Sequence, residues 1–171
     1  MGSKSGSYRN GKIERVTRET EVKLEFEVEG SGVHEISTGI GMLDHLLDQI
    51  PRHGVFDLRI GAKGKGDPDK HHVVEDIGIC LGQAINKALG DRAGIRRMGH
   101  SVVPLDEALV MVAIDIGGRP YAVIEAPFEG VNIGDLPGGL IRHFFEALAV
   151  EARMNIHVKV IAGIDDHHRS E

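Results

Sequence analysis

The chain has 171 residues, 41% of them hydrophobic but only 4% aromatic and without tryptophan, so its core must be built mostly from Val, Ile, Leu and Ala. That length suits one domain of ordinary size or two small halves packed closely together. A formal net charge of -6 argues against a nucleic-acid backbone as the main partner, which needs a basic face. No apolar run approaches the roughly 20 residues of a membrane span. Residues 1–12, MGSKSGSYRNGK, lack the apolar stretch of a secretory signal and read as a flexible lead-in. The single Cys80 excludes an internal disulfide and fits the reducing cytoplasm, or a plastid if a transit peptide has been removed.

In chain order, residues 21–30 alternate Val22, Leu24, Phe26 and Val28 with charged neighbours, which predicts a strand with one wet face. A glycine-rich turn follows, and VHEIST (33–38) resumes as the expected hairpin partner. GIGMLDHLLDQIPRHG (39–54) places Met42, Leu43, Leu46, Leu47 and Ile50 at helical spacing, with Pro51 expected to end the run. VFDLRIGAKG (55–64) reads as a strand. A helix from about residue 72 to 89, stopped by Gly90, carries Val73, Ile77, Leu81, Ile85 and Leu89 as a row for packing on a sheet.

The plan then repeats. Residues 109–126 form an apolar run, a turn at Gly117–Gly118 and a second run; residues 136–152 set Leu140, Ile141, Phe144, Phe145 and Leu148 at helical spacing; MNIHVKVIAG (154–163) is a strand. The order strand, strand, helix, strand, His-His helix therefore occurs twice, a mark of internal duplication rather than of a solenoid. The expected fold is α+β, a tandem duplication with halves at 13–98 and 99–171, each a sheet backed by helices on one face.

The histidines sharpen this reading. In HHVVED (71–76), His71 and Glu75 are four apart and share a helical face, as do His72 and Asp76. Adjacent His71 and His72 point about 100° apart and can serve two centres. HHRSE (167–171) repeats the pattern with His167, His168 and Glu171, and one helix histidine precedes each pair: His45 lies 26 residues before His71, and His143 lies 24 before His167. A solitary HHxxE is explained equally well by a solvated helix start whose acid complements the dipole. Two copies at equivalent places weigh against that. The eight groups suit two metals with three histidines and one carboxylate each, and such sites leave positions open for catalysis. With no cysteine ligand, Mn²⁺ or Fe²⁺ suits at least as well as Zn²⁺.

Other candidates are weaker. His34 and His53 read as surface or turn residues, His100 follows a turn and carries no signal, and His157, inside a strand, reads as a packed core residue. Glu19, Asp106 and Glu107 sit just before strands, where loops carry function, although each alone is equally a cap or a surface charge. Arg97 and Arg119 lie in glycine-rich turns, where a guanidinium suits a phosphate or carboxylate, or simply a surface ion pair.

RVTRETEV (15–22), STGIGMLDHLLDQ (37–49), HHVVEDIGICLGQA (71–84), ALGDRAGIRRMG (88–99), VPLDEAL (103–109), DIGGRPY (115–121), RHFFEALA (142–149) and NIHVKVIAG (155–163) before the second His pair occur in one order. Together they resemble imidazoleglycerol-phosphate dehydratase of histidine biosynthesis, from about residue 14 onward. The resemblance implies a duplicated fold of the ribosomal protein S5 domain 2-like kind. It also implies a hydro-lyase that converts imidazole glycerol phosphate to imidazole acetol phosphate with two Mn²⁺ per active site. Trimers that build a 24-subunit shell are implied as well, with active sites at subunit contacts. His45, His71, His72, Glu75, His143, His167, His168 and Glu171 fall on the family's metal ligands. Glu19 falls on its proton-moving, substrate-contacting acid, and Arg97 and Arg119 on its phosphate-binding arginines. Catalysis is expected to rest on Glu19 with His71, Glu75, His167 and Glu171. The family pattern continues past the second HHxxE with more helix and a Lys- and Ser-bearing segment, whereas Glu171 is the last residue here. Weak or no turnover and a trimeric state are the expectation for this form. Two other classes use the same residues: a non-enzymatic metal-bridged assembly, and a metallohydrolase acting through metal-bound water.

Overall fold

The computed structural model describes residues 9–66 and 70–171; residues 1–8 of the expected lead-in lie outside the described residues. The first half runs β1 (Asn10–Val16), β2 (Thr20–Glu27), β3 (His34–Ser37), α1 (Gly41–Gly54), β4 (Asp57–Gly64) and α2 (His71–Leu89). The second runs β5 (Met98–Leu105), β6 (Ala108–Asp115), β7 (Tyr121–Glu125), the short pair β8 (Asn132–Ile133) and β9 (Leu136–Pro137), α3 (Gly139–Ala152), β10 (Asn155–Ala162) and α4 (Asp166–Ser170). Each half holds a four-stranded sheet, ordered β1-β2-β4-β3 and β5-β6-β10-β7. The last pair in each is parallel and the others are antiparallel. Identical order and direction in both sheets make the duplication structural. Among the described residues, no helix is long and apolar enough to cross a membrane.

The period-2 pattern of β2 becomes burial: Val22, Leu24 and Phe26 are buried, while Lys23 is exposed and Glu21, Glu25 and Glu27 are half-buried on the other face. α2 is more than the single-faced helix that its apolar row suggested. Val73, Ile77 and Leu81 are buried, but so are Val74, Cys80, Ala84 and Ala88. Two faces are needed because α2 packs both on the first sheet and along α3. Gly78 and Gly82 let the two helices approach: a Cβ on Gly78 would lie 2.7 Å from the Phe144 carbonyl oxygen, and one on Gly82 2.8 Å from that of Leu148. The second sheet is less covered. Val110, Val112 and Ile114 of β6 are half-buried where Val22, Leu24 and Phe26 of β2 are buried. A cleft of about 390 Å³, lined in part by Val110, Val112, Phe145 and Glu171, lies beside them.

Several expectations are corrected. β3 does not form a hairpin with β2; β4 lies between them. The reason is Asp57 at the start of β4, whose carboxylate accepts the amide hydrogens of Ser31 at 2.7 Å and Val33 at 2.9 Å and draws the loop past the end of β4. The second half repeats this: the Gly118 amide donates to the Arg153 carbonyl at 3.1 Å and that of Tyr121 to Met154 at 3.1 Å, so β7 pairs with β10 and not with β6. Strands β1 and β5 went unpredicted, and β1 takes in Asn10–Lys12 of the expected lead-in, paired with Glu25–Glu27. Pro51 does not stop α1, which runs on to Gly54; it sits in the last turn with its ring buried. His157 is exposed, because Ile156 and Val158 take the inner face of β10. His100 is also exposed, on β5 after the turn.

Candidate active site

The two halves exchange histidines. His45 on α1 meets His167 and Glu171 of the second half, and one ligand atom from each lies within 4.8 Å of the others. The Glu171 carboxylate bridges them, 3.5 Å from His45 Nε2 and 3.3 Å from His167 Nε2, and the two rings stack at 5.4 Å. His143 on α3 meets His71 of the first half, with ring centroids 4.8 Å apart, and His71 Nε2 stands 3.7 Å from Glu75. His71 and Glu75 therefore share a helical face as their spacing requires. Each trio combines two histidines and one carboxylate.

The first trio suits a divalent metal. His45 Nε2 is shut off from solvent and makes no hydrogen bond. A buried ring nitrogen without a partner is costly, whereas a cation between it, His167 and Glu171 would satisfy all three.

Polar side chains from outside the trios hold these elements in place. Asp135, in the turn between β8 and β9, accepts the amide hydrogens of Met42 at 2.8 Å and Gly41 at 3.0 Å, capping α1 ahead of His45. The same residue takes the Lys70 ammonium, 3.3 Å away, immediately before His71. The Met42 and Gly41 amides, with Lys70, hold the Asp135 carboxyl below its usual range. Asp76, 6% exposed, accepts from Arg15 Nε at 2.7 Å and from the Thr20 hydroxyl. It thus faces the β1–β2 hairpin, where its spacing had put it with His72. That hairpin carries Glu19, exposed at its tip, and the Glu19 carbonyl accepts from the Lys65 amide at 2.6 Å. Its neighbour Thr20, through Asp76, ties the hairpin to the helix bearing Glu75. Asp76→Ala removes the buried acceptor shared by the Thr20 hydroxyl and the Arg15 guanidinium, and it should cost roughly 2–3 kcal/mol in urea unfolding. A loss under about 1 kcal/mol would show that the pair contributes little.

His168 makes a different contact from His167. Its Nδ1 lies 2.8 Å from Glu107 Oε2, and Glu107 Oε1 accepts the amides of Asp165 at 2.9 Å and Ile164 at 3.2 Å. The Asp165 amide, followed by His168, lowers the Glu107 carboxyl to about 2, and Glu107 in turn raises His168. Glu107 had read as a cap or a surface charge. Its position just before β6, matching Glu19 before β2, was the signal available.

The arginines sit elsewhere. Arg97 grips Asp115 through Nε at 2.6 Å and Nη2 at 2.8 Å, and it lines a cleft of about 550 Å³ with Arg92, Arg153, Gly117 and Gly118. Asp115 raises the Arg97 guanidinium further. A Cβ on Gly117 would lie 2.6 Å from Arg97 Nη2, so a larger residue there would have to displace the guanidinium. Arg119, exposed on the loop before β7, also acts on Asp115. Arg92 is structural, donating to the carbonyls of Ile116, Ala152 and Arg153 and to Asn86.

A duplicated α+β protein with crossed His–His–carboxylate trios is the class that fold and site define. The sequence profile of imidazoleglycerol-phosphate dehydratase matches residues 38–171. The imidazoleglycerol-phosphate dehydratase of Chloroflexus aurantiacus is 50% identical over 163 residues, 95% of this chain and 80% of that protein. That of Methanothermobacter thermautotrophicus is 50% identical over 157 residues, 92% of this chain and 80% of its own length. The crystal structure of the Staphylococcus aureus enzyme superposes with a TM-score of 0.82 at 30% identity, covering 94% of this chain and 89% of that one. The Pyrococcus furiosus enzyme, crystallised in complex with (S)-C348, gives 0.78 at 34%, covering 91% and 83%. The chain belongs to the imidazoleglycerol-phosphate dehydratase family.

Proposed function

We propose that the chain dehydrates imidazole glycerol phosphate to imidazole acetol phosphate in histidine biosynthesis, a carbon–oxygen lyase reaction supported by two Mn²⁺ ions. His45, His167 and Glu171 would hold one ion, and His71, Glu75 and His143 the other. The single observation that carries the metal reading is the buried, unpartnered Nε2 of His45 beside Glu171. Once bound, the ions would supply electrophilic stabilisation to the imidazole ring, the only electron sink next to the reacting carbons.

The chain's own groups do the rest. Dehydration removes a proton from one side-chain carbon and hydroxide from its neighbour, and the resulting enol becomes the ketone. The Glu19 carboxylate takes the carbon proton and returns one to the departing oxygen. Its anchored hairpin suits this role, since a shuttle must keep its position through both transfers. Arg97 Nη1, not used by Asp115, and the exposed Arg119 hold the phosphate at the far end.

We infer further that His72 and His168 complete the metal sites across subunit contacts, as trimers build a 24-subunit shell. Each trio supplies three ligands, and exposed His72 lies beside His71, the two ring centroids 5.7 Å apart. The cytoplasm suits the buried free Cys80, whose thiol burial pushes up to about 11, beyond easy oxidation. Mixing His45→Ala with His71→Ala protein tests the shared site. If each centre combines trios from two chains, random mixing restores roughly a quarter of the sites from two inactive parents. Parents that stay inactive after co-refolding would place both trios of a centre in one chain. A Mn²⁺-loaded chain extended past Glu171 by the family's C-terminal segment that forms no acetol phosphate from the substrate would overturn the dehydratase reading itself.

A further inference from the structure

Glu19 and Glu107 end equivalent turns, one before β2 and the other before β6, yet they have taken different roles. Glu19 is exposed. Glu107 is committed at both oxygens, one to the Ile164 and Asp165 amides and the other to His168 Nδ1 at 2.8 Å. The same loop is fixed from its other end by Asp165, whose side chain accepts the His167 and His168 amides at the start of α4. Glu107 therefore sees a ring whose backbone is already held.

A carboxylate can only accept, so in the neutral ring Nδ1 must carry the proton and Nε2 must present its lone pair. Histidine ligands are commonly set in this way, with the outer carboxylate fixing tautomer and ring direction and strengthening the donor. Two further acids lie near the ring: Asp165, whose side chain accepts the His168 amide, and Asp106, which holds a left-handed backbone at φ 47 in the same turn as Glu107. Asp106 Oδ2 lies 3.8 Å from Nε2, too far for a hydrogen bond, and its side chain is 77% exposed.

We propose that Glu107 is a positioning residue that locks His168 as the Nδ1–H tautomer and so presents Nε2 to a metal ion. This rests on the reading of His168 as a ligand. Nothing but geometry separates it from a plain loop clasp, and Glu107→Gln separates the two. The glutamine carbonyl can keep the Ile164 and Asp165 amides, while its NH₂ now faces Nδ1 as a donor. Nδ1 must then accept, the proton moves to Nε2, and the metal-facing lone pair is lost without loss of the loop.

The tautomer is read by ¹⁵N NMR of histidine-labelled, metal-free protein at alkaline pH, and the affinity by EPR of free Mn²⁺. Wild type should show Nδ1–H at His168. Glu107→Gln should show Nε2–H, unchanged unfolding, and one Mn²⁺ equivalent bound about 10- to 100-fold more weakly. His168→Ala, titrated alongside, keeps the two readings apart. If His168→Ala binds Mn²⁺ as wild type does, His168 is not a ligand and the proposal falls with that reading. If His168→Ala weakens binding while Glu107→Gln keeps wild-type affinity, Glu107 is only a loop clasp. An Nε2–H tautomer in the wild type overturns the proposal even if the variant fails to fold.

Discussion

His45→Ala should release one of two bound Mn²⁺ equivalents and abolish measurable dehydration. The substitution removes a ligand whose Nε2 is already desolvated and has no other partner. Only the stacked contact with His167 and the 3.5 Å approach to Glu171 go with it; the ring makes no hydrogen bond through Nε2, and α1 is anchored by buried Met42, Leu43 and Leu47. The affinity loss should exceed the roughly 10- to 100-fold typical of an outer-shell partner, because a direct donor is gone. Because the buried core of α1 is untouched, thermal stability without metal should stay close to that of the wild type. That pairing of lost metal with retained stability distinguishes a ligand from a packing residue. Calorimetry and EPR on the same sample check it. A variant that keeps both Mn²⁺ equivalents would remove His45 from the ligand set.

Gly78→Val should lower stability and loosen the other trio. A glycine in a helix interior is ordinarily a cost, and alanine there would gain about 1 kcal/mol from propensity. Here packing reverses the sign. A Cβ at Gly78 would lie 2.7 Å from the Phe144 carbonyl and 3.2 Å from the Ala147 Cβ. The carbonyl belongs to the α3 backbone and cannot rotate away, so α3 itself must shift. Overpacking of this kind costs about 1–3 kcal/mol, and at this size each kcal/mol lowers Tm by about 2–4 °C. Phe144 follows His143 directly, so the same shift carries His143 away from His71, which it meets at 4.8 Å. Mn²⁺ affinity should fall at this trio while the His45 trio keeps its ion. Differential scanning calorimetry and Mn²⁺ titration together test this; an unchanged Tm would mean that the helices can part without strain.

Much of this was legible in the chain. The alternation of Val22, Leu24 and Phe26, the turn glycines and the two HHxxE segments carry the duplication openly, and the eight histidine and carboxylate positions followed from it. Alternation identifies a strand but says nothing about its neighbour, so β3 and β7 were assigned to the wrong partners. What sets β3 is Asp57 holding the amides of Ser31 and Val33, a contact that spans 24 residues or more, and what sets β7 is the bonding of the Gly118 and Tyr121 amides to Arg153 and Met154. The edge strands β1 and β5 lack the signal because their outer faces stay wet: Val102 and Val103 remain exposed beside Ser101 and Pro104. The exchange of His45 and His143 between halves was also hidden. Both lie at matching places in their helices, and only the packing of α2 along α3, with α4 turned toward α1, decides which trio each joins. Asp76 and Glu107 were legible as acids but not as anchors, since their partners lie 56 to 61 residues away.

A Mn²⁺ titration of the metal-free protein, followed by EPR with the dehydration of imidazole glycerol phosphate measured at each point, tests the central claim most directly. Two crossed trios serving one reaction predict two bound equivalents per chain, with acetol phosphate appearing only as the second site fills and vanishing on chelation. Binding of a single equivalent, or product formation that persists in excess EDTA, would contradict it.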